Sequence, residues 1–133
     1  MKRELILTQE PIDEPGLLRG RCTGPEIGAA ISFLGLVRGI EGEKTIEAIE
    51  YEAFVQMVER QFGLLFDAIE NRWPIQSIRL VHRIGYVPVA QPSLWVEVLA
   101  SHRGEAFAAC QYLIDEMKRI VPIWKKPVFG PPA

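Results

Sequence analysis

Two amphipathic stretches, each stopped by a proline, limit what this chain can become. Val55, Val58, Phe62, Leu65 and Ile69 recur at three- and four-residue spacing up to Trp73, and Pro74 ends the pattern. Phe107, Cys110, Leu113 or Ile114, Met117 and Ile120 or Val121 form a second stripe, and Pro122 ends it. Such spacing gathers apolar side chains on one helical face. Proline lacks the N–H that a continuing helix would need. The second helix has Ser101 as its expected N-cap. A helix with one apolar face must bury it against another layer, so the remaining segments have to supply that layer.

They read mainly as strands. Residues 3–8 alternate weakly. Residues 29–37 form a near-continuous apolar run with Gly35 inside it, which points to a buried strand with a bulge or a close approach. Residues 45–54 alternate through Ile46, Ala48 or Ile49, and Tyr51, and are expected to pair back on the preceding strand as a hairpin across a flexible turn at 39–43. Residues 78–84 and 93–100 are two further strands, with a turn at 87–92. A short helix is expected over 14–21, although Pro15, Gly16 and Gly20 interrupt it. No strand is assigned beyond Pro122. The order β-(α)-β-β-α-β-β-α predicts an α+β fold, a mostly antiparallel sheet with helices packed on one face.

Composition narrows the function. A chain of 133 residues suits a single domain, here expected over 1–133. Fifteen basic against seventeen acidic residues leave a net charge of −2, so neither nucleic acid nor an anionic membrane is an expected partner. No apolar run approaches the roughly 18–20 residues of a membrane span. Leu5-Ile6-Leu7, after Met1-Lys2-Arg3-Glu4, is too short for a signal-peptide core. Cys22 and Cys110 have no CxxC spacing, which fits a reduced, cytoplasmic protein. Cys22, His82, His102 and Cys110 lack metal-ligand spacing, and there is no GxGxxG or Walker A motif. No metal and no cofactor is expected.

The residues suited to chemistry are basic. Lys118 falls in the last turn of the second helix, where a cation also simply complements the dipole. Pro122 turns the chain, so Lys125 can return toward Lys118, with Trp124 as a possible apolar wall. A lysine near other cations or partly desolvated can act as acid, base or nucleophile. Arg38 follows the buried strand and precedes the glycine-containing turn, a setting suited to phosphate or carboxylate. His102 and Arg103 begin a helix, where free N–H groups already favour anions. His82 and Arg83 fall in or at the end of a strand and read as structural. The glutamates at 41, 43, 47, 50 and 52 read as solvated edge charges. Arg103 and Lys118 are separated by about 22 Å along one helix, at roughly 1.5 Å per residue. One small-molecule pocket cannot use both from a single chain, so a shared site implies a homodimer.

Several segments occur in an order that resembles one family. They are Phe33-Leu34-Gly35-Leu36-Val37-Arg38, Ile49-Glu50-Tyr51-Glu52-Ala53-Phe54, Asn71-Arg72-Trp73-Pro74, Val81-His82-Arg83-Ile84-Gly85, Ser101-His102-Arg103-Gly104-Glu105-Ala106-Phe107, and Ile114-Asp115-Glu116-Met117-Lys118 through Val121-Pro122-Ile123-Trp124-Lys125-Lys126. Together they closely resemble the large, catalytic subunit of molybdopterin synthase, the MoaE family.

That resemblance implies an α/β hammerhead fold and a sulfurtransferase. It would place two sulfurs on cyclic pyranopterin monophosphate to give the molybdopterin dithiolene. The sulfur would come from a ubiquitin-like small subunit carrying a C-terminal Gly-Gly thiocarboxylate. The large subunit would be a homodimer within a heterotetramer. Lys118 and Lys125 match the family's essential lysines; Arg38, His102 and Arg103 match its phosphate contacts. Leu36, Val37 and Lys126 join these as expected substrate-binding positions. Pro127 stands where the family usually has an acidic residue, and the stretch Val128-Phe129-Gly130-Pro131-Pro132-Ala133 lacks the family's Gly-x-x-Trp-like tail. The alternative reading is a non-catalytic homologue that binds the small subunit without turnover. An unrelated enzyme with a Schiff-base lysine is a third.

Overall fold

A computed structural model describes residues 1–130. The elements run β1 (Lys2–Thr8), α1 (Glu14–Arg19), β2 (Ala29–Leu36), β3 (Ile40–Glu41), β4 (Lys44–Ala53), α2 (Val55–Arg72), β5 (Ile75–Arg83), β6 (Gly85–Pro88), β7 (Pro92–Ala100), α3 (Arg103–Ile120) and β8 (Ile123–Phe129). One sheet has the order β1-β5-β7-β2, in which β1 and β5 are parallel and the other pairs antiparallel. The second sheet joins β3, β4 and β6, and β8 pairs with β4.

The two long helices pack on one face of the first sheet. Val58, Phe62, Leu65, Phe66 and Ile69 of α2 and Ala106, Ala109, Cys110, Leu113 and Met117 of α3 meet Ile78 and Leu80 of β5 and Val96 and Val98 of β7. Period-two alternation sends the intervening side chains to the other face. There Val81 and Trp95 meet Ile12 and Leu17, next to the short α1. Glu97, only 1% exposed, accepts hydrogen bonds from Arg21 Nε (2.7 Å), Arg79 Nε (2.8 Å) and Arg79 Nη2 (3.0 Å). A buried carboxylate is tolerated because donors meet both of its oxygens.

The expected hairpin does not form. β2 pairs with β7, while β4 belongs to the second sheet. The cause lies after Gly35. The register of β2 against β7 shifts between Gly35 and Leu36, and a Cβ on Gly35 would lie 3.2 Å from Phe33 Cε1 and 3.4 Å from Leu94 Cβ. The expected bulge is therefore present, and it carries the chain out of the first sheet. The hairpin that exists is β3–β4, turned at Gly42 with φ 63°. The expected 87–92 turn begins later, since Val87 and Pro88 close β6.

The N-cap of α3 lies one residue after the expected Ser101. Ser101 Oγ donates instead to the Glu26 carbonyl (2.9 Å), and His102 occupies the N-cap. Glu105 Oε1 accepts from the His102 backbone N–H and contacts His102 Nδ1, both at 3.1 Å. Phe107, expected in the buried stripe, is 58% exposed, because Ala106 and Ala109 face the sheet in its place. Beyond Pro122 the chain is not irregular but forms β8. Residues 131–133 of the expected tail lie outside the described residues.

Candidate active site

Where the two sheets meet, a cleft of about 670 Å³ opens. That volume suits a small organic substrate. The bulge of β2 supplies Leu36 and releases the chain so that Arg38 follows at the rim. The last turn of α3 supplies Met117 and Lys118. Pro122 then turns the chain, and period-two alternation along β8 presents Ile123, Lys125 and Pro127 to the same space. The sequence expectation that Lys125 returns toward Lys118 is met at the level of the cleft they share.

Tyr51 of β4 and His82 of β5 form part of the wall. Their rings meet edge to face with centroids 5.2 Å apart. Pro127 sits in the wall opposite Ile49 in register. Among the described residues β8 pairs with β4 alone, so a residue without an N–H is tolerated on that outer strand.

The electrostatics favour anions. Arg38, Lys118 and Lys125 line the cleft against one carboxylate, Glu41. Glu41 therefore belongs to the cleft wall and is not merely an edge charge. The His82 imidazole is held below its ordinary value of 6.5 by burial and secondarily by the charge of Lys125; the hydrogen bond of Nδ1 to the Arg83 carbonyl (2.7 Å) opposes the shift. It is neutral near pH 7.

Of the expected site residues, Leu36, Arg38, Lys118 and Lys125 converge. Val37 is buried instead with Tyr51 and Val87 in the core of the second sheet. Lys126 lies opposite Glu50 in register and does not line the cleft. His102 and Arg103 are exposed at the far end of α3 and do not line it either. Trp124 forms no wall; it stacks edge to face on Phe54, centroids 5.3 Å apart, outside the cleft. Tyr51 and His82 were not expected there. The available signal was period two: residue 82 continues the side of β5 set by Ile78 and Leu80.

Comparison with known proteins settles the family. The MoaE protein family matches residues 7–120. The chain belongs to the MoaE family. It is 37% identical over 129 residues to the molybdopterin synthase catalytic subunit of Staphylococcus carnosus, covering 97% of this chain and 85% of that protein. It is 38% identical over 107 residues to the catalytic subunit of Arabidopsis thaliana, covering 80% of this chain and 54% of that longer protein. The crystal structure of molybdopterin synthase from Staphylococcus aureus superposes with a TM-score of 0.84 at 32% identity, covering 96% of this chain and 90% of that one. The resemblance read from the ordered motifs is borne out, as is the mixed α+β architecture. Both of these relatives carry the name molybdopterin synthase catalytic subunit.

Proposed function

We propose that this cleft is the active site through which the chain works as the catalytic subunit of molybdopterin synthase. The reaction moves sulfur from a thiocarboxylated, ubiquitin-like small subunit to cyclic pyranopterin monophosphate, giving the dithiolene. The observation that carries this reading is the convergence of Arg38, Lys118 and Lys125, from three separate elements, on one cleft. A phosphorylated substrate and a thiocarboxylate tail are both anionic, and these cations would attract and orient both.

Lys118 is the main acid–base or charge-stabilising group near the reacting carbons. Lys125 orients the thiocarboxylate or assists proton transfer. Arg38 binds phosphate together with His102 and Arg103 from a second copy of the chain. That division follows from α3: Lys118 is at its C-terminal end and the His102–Arg103 pair at its start, roughly 22 Å away at helical rise. The working assembly is a homodimer with a small subunit bound to each copy. The compartment is the reducing cytoplasm, in keeping with two free cysteines, Cys22 and Cys110.

The test combines this protein, thiocarboxylated small subunit and cyclic pyranopterin monophosphate, with fluorescence of the oxidised product as readout. Product above the enzyme-free control, abolished in Lys118→Ala while the fold persists, is the expected result. Small-subunit binding without any product would overturn the catalytic reading and leave the binding homologue.

A further inference from the structure

The sulfur-transfer reading places Lys118 at the reacting pterin carbons and assigns no base to the hydrolytic step that follows. When the thiocarboxylate sulfur has bonded to the pterin, it still holds the acyl carbon of the small subunit's tail, as a thioester. Sulfur stays with the pterin only if the acyl carbon–sulfur bond breaks and water supplies the acyl carbon with oxygen. Lys118 and Lys125 supply positive charge for the oxyanion and the departing thiolate. A group able to take a proton from water is also required.

One residue of the cleft wall has that form. His82 is buried in β5, yet its side chain lines the cleft. A carbonyl only accepts, so the 2.7 Å contact with the Arg83 carbonyl makes Nδ1 the protonated nitrogen. Nε2 then carries the lone pair. Among the described residues it has no hydrogen-bond partner, and it is not sealed from solvent, since among those residues the fully enclosed polar side-chain atom lacking a partner is Trp95 Nε1. The Tyr51 ring, edge to face at 5.2 Å, holds the imidazole plane.

Resting on the sulfur-transfer reading, we propose that His82 is a catalytic residue whose Nε2 takes the proton from the water that cleaves the thioester. The water oxygen bonds to the acyl carbon and its proton passes to Nε2. The carbon–sulfur electron pair leaves on sulfur. The imidazolium then returns its proton to the thiolate, and the small subunit departs with a carboxyl terminus. No oxidant or reductant enters.

The surroundings suit a neutral base. β8 and α3 bring Lys125 and Lys118 to the cleft, and the rim adds Arg38 and Glu41. β4 contributes Tyr51, while the register neighbours on β1 and β7 are the uncharged Leu7 and Leu94. Burial and the Lys125 charge both disfavour imidazolium before reaction.

The experiment is a single-turnover assay of wild type, His82→Gln and His82→Asn with thiocarboxylated small subunit and cyclic pyranopterin monophosphate. Intact-mass spectrometry follows the small subunit. Both variants are expected to release product about 100-fold more slowly and to accumulate a hydroxylamine-sensitive small subunit–pterin adduct. Wild-type release should fall on acidification below the ordinary histidine range, with a limb absent from the variants. Variants that release product at the wild-type rate, or that lose it without adduct, would overturn the assignment. So would a wild-type profile without an acid limb anywhere in the range where the protein stays folded, which needs no variant to fold. Wild type that makes no product would instead overturn the sulfur-transfer reading beneath it.

Discussion

Replacing Arg79 by Met should cost about 3 kcal/mol at pH 7, and the reasoning can be followed bond by bond. Glu97 is 1% exposed and accepts three hydrogen bonds, two of them from Arg79. Met keeps much of the aliphatic stem over the Trp95 ring, where the guanidinium carbon now lies 4.9 Å from the centroid. It removes both donors, leaving Oε1 with no partner and Oε2 with Arg21 alone. Two hydrogen bonds to a charged group are worth roughly 1.5–3 kcal/mol each. Arg21 remains, and both arginines are partly exposed, so the low end of that range applies.

Acid should relieve the loss. Burial alone would raise the Glu97 carboxyl, but hydrogen bonds from Arg79 and then Arg21 outweigh it, so the folded value lies below the ordinary 4.5. Wild type therefore holds this stabilisation above that range and loses it as pH falls through the depressed folded value. Without Arg79, burial wins and the carboxyl protonates at higher pH. The deficit should be full near pH 7 and smaller by pH 4. Urea unfolding at both pH values and fixed protein concentration measures it. Adding Glu97→Leu to Arg79→Met should recover more than half of the loss, because the orphaned carboxylate is gone. A deficit below about 1 kcal/mol at pH 7, or one constant down to pH 4, would refute the reasoning.

Other perturbations probe the site. A Cβ at Gly28 would meet the Ser101 backbone carbonyl at 2.2 Å, so Gly28→Ala should cost about 1–3 kcal/mol, seen as a Tm lowered by roughly 3–10 °C; an unchanged melt contradicts that clash. Arg38→Ala and Arg103→Ala should each be inactive, yet refolding them together should restore about a quarter of wild-type activity, since random pairing leaves one intact site in each mixed dimer; mixed dimers without activity would rule out a site shared in this way. The folded His82 value is depressed, so its stabilisation is full above the ordinary 6.5 and fades as pH falls toward the folded value. Melting temperatures of wild type should decline over that interval while those of His82→Gln decline less, and parallel curves would contradict the neutral imidazole.

Local chemistry determined much of this protein from its sequence. The stripes of α2 and α3 and their stops at Pro74 and Pro122 follow from helical period and a missing N–H. Gly35 marked its bulge because a strand glycine signals close approach. The basic residues with chemical promise, and the family, were legible in ordered motifs. Partner choice was not. Nothing local to residues 29–37 says that β2 pairs with β7 and not with the next strand, because register is decided by which apolar faces bury together. The same limit hid β8, whose alternation is masked by Lys125, Lys126 and Pro127 and which exists because β4 offers it an edge. It also hid the placement of Tyr51 and His82 beside the lysines. Their strands are far apart in sequence, and only the meeting of two sheets and the end of α3 brings a buried imidazole to a cleft lined with cations. Side-chain type sets what chemistry is possible, and tertiary packing decides which groups lose water together and so act together.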